Sequence, residues 1–225
     1  MNYKNKNITK RNNILKVAID SPAAAGAGTQ AKLISKHYNL LQLDTGRVYR
    51  YVANIKINEP RKFDYGYLKK KINKLKIKDL KNKKLLSDKV ATVASIIAKD
   101  KKIRKLVHAF QLKCAYNPPK KYAGSCWDGR DICSVIVPDA DVKLFITANL
   151  KTRALRRYKE LKTKNKNISY EEVLKSVKKR DKSDTNRKIS PLKKTKDSIL
   201  LNTTNLSIRR CFLNIKKIID RKIIT

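Results

Sequence analysis

The run from Val17 to Thr29, VAIDSPAAAGAGT, constrains this chain more than any other: three apolar residues, a loop of small ones, then the start of a helical pattern. Val17, Ala18 and Ile19 suit a buried strand. Small residues at a strand-to-helix junction let the main chain close around an anion, with backbone N–H groups and the helix N-terminus aimed at it. The stretch Ser21, Pro22, Ala23, Ala24, Ala25, Gly26, Ala27, Gly28 and Thr29 therefore reads as a phosphate cradle. Such cradles follow G-x-x-x-x-G-K-[ST], or a variant ending Lys-Gly-Thr. Here Ser21 holds the first glycine position and Ala27 the lysine position. The cradle is present without its cation, and by itself a small-residue turn also serves close packing.

Beyond the loop the alternation of helix and strand continues. Ala31, Leu33 and Ile34 within Gly28 to His37 have helical spacing, and Leu40 to Leu43 reads as a second strand ending in Asp44-Thr45-Gly46. A strand, a helix and a strand in this order predict a parallel sheet with ligands at its carboxyl edge. The lysine-rich segment from Asn54 to Lys84 reads as a small helical insert of low local stability. Helices follow from Ser87 to Ala98, and from a cap at Asp100 to a stop at Asn117-Pro118-Pro119. Ser125 to Asp131 is the exit of a buried strand, and Val142 to Thr147 a strong strand. A basic helix carries Arg153, Arg156 and Arg157, and the polar stretch Lys162 to Ser169 suits the tip of a lid. A helix from Tyr170 to about Arg180 comes next, Ser198 to Leu201 supplies a last strand, and Asn205 or Ser207 caps a C-terminal helix. The sum is a doubly wound α/β fold with five parallel strands. It forms one domain over residues 14–225, behind a flexible basic tail at residues 1–13.

Composition adds little direction. The 225 residues include 56 Lys and Arg against 18 Asp and Glu, a formal charge of +38, which raises a nucleic-acid or phosphate-bearing partner. The lysines are spread along the chain beside abundant Asn and Ile, as in an AT-rich coding sequence. A nucleic-acid stripe would instead cluster, with aromatics interleaved. Cys114, Cys126, Cys133 and Cys211 form no C-x-x-C pair and have two histidines to join them, which argues against zinc and suits reduced thiols in a cytoplasmic protein. No apolar run approaches a membrane span.

Two further constellations carry chemistry. Arg180, Asp181, Asp184 and Arg187 follow R-D-x-x-D-x-x-R, which is either a solvated ion-pair ladder or a set of cations closing over phosphate oxygens. Asp128-Gly129-Arg130-Asp131 at a strand end is either an ordinary turn or a site. In the latter, Asp128 holds magnesium through water or accepts a proton, beside Arg130 and Asp131.

In that order, these residues resemble the bacterial cytidylate kinases, a branch of the P-loop nucleoside monophosphate kinases. The specific pieces are LDTGRVYR at Leu43 to Arg50, DGRD at Asp128 to Asp131, VIVPDADVKLFITA after it, RDKSDTNR with ISPL, and LNTTNLSI from Leu201 to Ile208. The resemblance runs from about Ile14 to the C-terminal helix. It implies transfer of the ATP γ-phosphoryl group to CMP or dCMP with Mg2+, in a monomer with a nucleotide-binding insert at about 46–115 and a lid at about 153–187. It places the donor in the loop from Ser21 to Thr29, with Thr29 near magnesium. CMP falls to Thr45, Arg50, Ser95, Arg104, Asp131, Arg180, Asp184 and Arg187, of which Ser95, Arg104 and Asp131 read the cytosine ring. Arg153 and Arg157 match lid arginines that meet the transferring group, and with Asp128, Arg130 and Arg180 they make up the catalytic set. The departures are Ser21, Ala24 and Ala27 in the loop and Cys133 after DGRD. Loss of the lysine is expected to slow transfer by about 10² to 10³. A kept acceptor site beside an altered donor loop leaves two further functions open: a non-catalytic protein that retains CMP recognition, and a basic nucleic-acid binder.

Overall fold

The computed structural model describes residues 14–163 and 167–224; the basic tail and part of the proposed lid tip lie outside these. The described residues form five strands and eight α-helices. The strands are β1 (Leu15–Asp20), β2 (Leu40–Asp44), β3 (Gly124–Gly129), β4 (Val142–Thr147) and β5 (Ile199–Asn202). The helices are α1 (Ala27–His37), α2 (Thr45–Asn58), α3 (Tyr65–Asn73), α4 (Asp88–Ile97), α5 (Lys101–Tyr116), α6 (Leu150–Lys162), α7 (Tyr170–Asn186) and α8 (Ile208–Ile224). All strand pairs are parallel, in the order β2-β3-β1-β4-β5. This is the doubly wound sheet the alternation predicts.

Period-two alternation divides the core. Val17 and Ile19 of β1 face one side with Cys126, Val142, Leu144 and Ile146, under Ala31 and Ile34 of α1 and Ile215 and Ile219 of α8. Ala18 faces the other with Trp127, Leu41 and Leu43, under α2 to α5. Trp127 is wholly buried, and truncating such a side chain costs about 3–5 kcal/mol. The segment read as a weakly held insert is tied into this core through Ile55, Leu68, Ile72, Leu75 and Leu80.

Helix boundaries follow the caps. Asp44 accepts from Gly46 N at 2.8 Å and starts α2 at Thr45. Ser87 caps α4, and Asp100 caps α5 by accepting from Lys102 N at 2.8 Å and Ile103 N at 3.0 Å. Of the two candidates for α8, Ser207 is the one that accepts, from Arg210 N at 3.1 Å. α7 runs past Arg180 to Asn186, so Asp181 and Asp184 are helical while Arg187 has left the helix with φ −67° and ψ 138°. A π-helical turn, Ile132–Ile136, follows DGRD.

The register aligns Asp20 with Gly129 and Asp44 with Asp128. Three carboxylates and the loop after β1 thus come to one carboxyl edge, where ligands of open parallel sheets bind.

Candidate active site

The loop after β1 is anchored where Ser21 N donates to Gly129 O at 3.1 Å. Ala24 and Gly26 take left-handed backbone angles, φ 59° and 95°. No side chain caps α1, so its first amides face outward as donors. Gly28 and Thr29 are exposed there. Ala27 is only 5% exposed and packs with Ala25, Ala31 and Ile34. The loop is braced from α6. Buried Arg153 donates to Ala23 O at 3.0 Å and Ala148 O at 2.8 Å, and pairs with Asp181 at 2.6 Å. Asp181 in turn accepts from Ala23 N at 3.4 Å. Arg156 donates to Ala25 O at 3.4 Å.

Asp128 is buried at the end of β3, and its Oδ1 has no hydrogen-bond partner among the described residues. Burial first, and the charge of Asp44 second, push its carboxyl well above the ordinary range, against the pull of Arg130 and Arg47. A Cβ placed on Gly28 would lie 3.4 Å from Asp128 Oδ2, so the carboxyl group borders the start of α1. Gly129 has a steric reason: a Cβ there would meet Thr45 Oγ1 at 2.4 Å. That hydroxyl donates to Asp128 O at 3.2 Å. Asp20 accepts from Ile132 N at 2.8 Å and Cys133 N at 3.0 Å, fixing the π-helical turn. Cys133 is buried, so its thiol fills a packed space where the family resemblance expects glycine.

Arginines meet beside these carboxylates. Arg130 Nε contacts Asp184 Oδ2 at 2.7 Å, and Arg180 reaches the same oxygen at 3.9 Å. The Arg180 guanidinium is pushed down to about 10, by desolvation first and then by Arg130; Asp184 opposes this, while Arg50 and Arg157 add to it. Four guanidinium groups therefore act on one another electrostatically, Arg180 itself half exposed, with Arg50 also donating to Leu85 O at 3.1 Å and Arg157 pairing with Glu160 at 2.9 Å. Guanidinium groups gathered in this way suit a phosphate-rich ligand.

A second buried group lies further along. Arg104 is ion-paired with Asp131, and Arg187 Nη2 lies 3.8 Å from the other Asp131 oxygen. Arg104 also donates to Ala98 O at 3.1 Å and sits over the Tyr49 ring. His108, whose imidazole burial pushes below its usual value against the pull of Asp131, and Gln111, whose Nε2 lacks a partner among the described residues, complete a recess of about 10 Å³. It adjoins a cleft of about 810 Å³ bordered by Val135, Ser183, Arg187 and Ser190. Of the residues singled out in the sequence, Ser95 stands apart: it is exposed on α4 and donates to Thr92 O at 2.9 Å. Asp20, Tyr49, His108, Gln111 and Arg156 were not assigned to the site from sequence. Asp20 directly before the loop and Tyr49 within LDTGRVYR were the available signals. Among the described residues no cluster of His, Cys, Asp or Glu forms a protein-only metal site, and no helix is long and apolar enough to cross a membrane.

A family model described as cytidylate kinase matches residues 17–221 of this chain, spanning the loop, the arginine cluster and the Arg104–Asp131 pair. The chain belongs to the cytidylate kinase family. Relatives within the family include the cytidylate kinase of Bartonella henselae, 40% identical over 209 residues and covering 91% of this chain and 94% of its own. That of Clostridium botulinum strain Langeland is 38% identical over 222 residues, covering 92% and 98%. A solved structure of an uncharacterized protein from Eubacterium ventriosum aligns at TM-score 0.55 and 17% identity over 92% of this chain and 98% of that one, a likeness of fold.

Proposed function

We propose that this member of the cytidylate kinase family transfers the γ-phosphoryl group of ATP to CMP or dCMP. The observation that carries this reading is the cluster of Arg50, Arg130, Arg157 and Arg180, together with a loop whose helix start has no side-chain cap and the buried Arg104–Asp131 pair. The ATP phosphates lie along the backbone from Ser21 to Thr29. The acceptor phosphate is held by Arg50, Arg130 and Arg180, its sugar by Thr45 and Asp184, and its base by Asp131, Arg104 and Arg187; Ser95, exposed on α4 and bonded to Thr92 O, takes no part in the pocket as it stands here. Cytosine presents an amino donor beside ring acceptors, so a carboxylate with arginines separates it from uracil. An oxygen of the CMP phosphate then attacks the γ-phosphorus in line while Arg153, from its brace on the loop, and Arg157 and Arg180 balance the charge that spreads over the transferring oxygens.

The exposed Thr29 hydroxyl and the partnerless, buried Asp128 oxygen fit a magnesium ion, which takes few protein ligands and completes its shell with water and phosphate. They would hold it, and when bound it supplies charge neutralisation at the β and γ oxygens. The division into an insert at about 46–115 and a lid at about 153–187 belongs to the same reading, as do a monomeric state and a cytoplasmic location.

The test is ADP formation from ATP with CMP, dCMP, UMP and AMP in parallel, with the Asp131→Ala protein as control. Turnover that depends on CMP or dCMP and is lost in the variant is expected; equal turnover with UMP or AMP overturns the assignment. The buried alanine in place of the loop lysine supports a second reading, a nucleotide-binding protein that has lost catalysis. In that case calorimetry shows CMP binding without ATP binding, and no acceptor is turned over.

A further inference from the structure

The loop has lost the lysine expected within it, yet its backbone is held at alternate carbonyls from outside. Arg153 Nη1 donates to Ala23 O at 3.0 Å, while Arg156 Nη1 reaches Ala25 O at 3.4 Å. Both arginines lie on α6, one turn apart. Ala25 O accepts a further hydrogen bond from Thr203 Oγ1 at 3.0 Å. Arg156 holds that threonine in turn, donating to its hydroxyl at 3.0 Å and to its carbonyl at 2.7 Å. Thr203 is itself fixed to the sheet by Thr203 N donating to Thr147 O at 2.7 Å.

A planar trans peptide links these bonds to the cradle. In such a unit the C=O of one residue and the N–H of the next point in opposite directions. Holding Ala23 O toward α6 turns Ala24 N–H away from it, and holding Ala25 O does the same for Gly26 N–H. Neither of these amides has an acceptor among the described residues. A Cβ built on Gly26 would lie 3.9 Å from Arg156 Nη1, so the guanidinium lies along the loop itself.

We propose that Arg156, with Thr203, is a positioning residue that sets the loop for ATP by fixing its carbonyls, a task the chain performs from α6 in the absence of a loop lysine. Arg153 shares the task but also pairs with Asp181 of α7, so Arg156 gives the cleaner test. A planar guanidinium can hold Ala25 O, the Thr203 hydroxyl and the Thr203 carbonyl together; an ammonium is a point charge without that fork.

This inference rests on the reading that the loop takes the ATP phosphates, and two readouts separate them. The amide resonances of Ala24 and Gly26 in the unliganded full chain report loop shape with no nucleotide present. Calorimetry with a non-hydrolysable ATP analogue and magnesium, and separately with CMP, reports each site. Arg156→Lys is expected to shift both amide resonances and to weaken the analogue about tenfold, with CMP affinity within twofold of the wild type. Unchanged resonances together with unchanged analogue affinity overturn the inference. Failure of the wild type to bind the analogue overturns the functional reading instead. Should Arg156→Lys not fold, Thr203→Val removes the same hydroxyl bridge and is held to the same two outcomes.

Discussion

Asp20 shows how a single buried group sets a cost that pH can reveal. Its two oxygens accept from Ile132 N and Cys133 N, which orders the turn carrying Asp131. Burial is the largest influence and raises its carboxyl to about 6; the Ile132 hydrogen bond pulls it back, and Asp131 pushes it up. The folded state therefore binds this proton more tightly than the unfolded chain does. The resulting stability is complete below the ordinary value of 3.8 and is lost as pH rises through about 6. About two pH units correspond to about 3 kcal/mol. Urea unfolding of the wild type is expected to lose about that much more stability between pH 4 and pH 7 than the Asp20→Asn protein does, the variant having no group to titrate there. Equal pH slopes would show that Asp20 has an ordinary affinity for its proton.

At the scale of the element, the donor loop carries strain that a conservative change removes. Ala24 occupies a left-handed conformation that costs a residue with a Cβ about 1–2 kcal/mol and a glycine almost nothing. Ala24→Gly is expected to stabilise the fold by up to about 1 kcal/mol in urea unfolding, the relief of strain being partly offset by the freedom glycine gains in the unfolded chain. Position 27 has the opposite difficulty. Its side chain is packed among Ala25, Ala31 and Ile34, so a lysine has to leave along the loop to reach phosphate oxygens. Ala27→Lys is expected to raise kcat with CMP about tenfold, and to raise it further when joined to Ala24→Gly, which loosens the exit. No rise in a coupled assay with either protein would mean that position 27 does not limit the reaction.

Over the whole molecule, the charge of +38 comes from lysines and arginines spread along the sequence rather than gathered in one run. The best-organised cations, Arg104, Arg130, Arg153 and Arg187, are each matched to a carboxylate at the carboxyl edge. Duplex DNA is therefore expected to bind through counterion release alone. Its affinity falls by about 10³ or more between about 50 mM and 200 mM salt, and is no tighter than that of an unrelated protein of equal charge. Fluorescence anisotropy across a salt series measures both. Retention at high salt with a sequence preference would establish a dedicated nucleic-acid surface. The sheet itself was legible because each central strand carries its own signal: VKLFIT is apolar enough for a strand, and Trp127 ends up between β2 and β1 as the strand exit before DGRD predicts. β5 was found by composition, though Ile199 and Leu200 at the sheet edge remain exposed and nothing local distinguishes such a strand from a core one.

Local chemistry settled what short-range sequence can encode: the strand-loop-helix order, the caps at Asp44, Ser87 and Asp100, the small-residue loop and its missing lysine. Those depend on backbone periodicity and on side chains bonding within a few residues. Contacts across the chain were decided only by the tertiary structure. Asp20 reaches Ile132, Arg153 and Arg156 reach back to Ala23 and Ala25, and Arg180 feels Arg50 because the parallel crossovers bring distant loops to one edge. Arg187 shows the difference in one residue. Its spacing from Arg180 places it on a continuing helix, whereas the chain turns at Asn186 and brings its guanidinium to Asp131, a partner whose charge rewards leaving the helix.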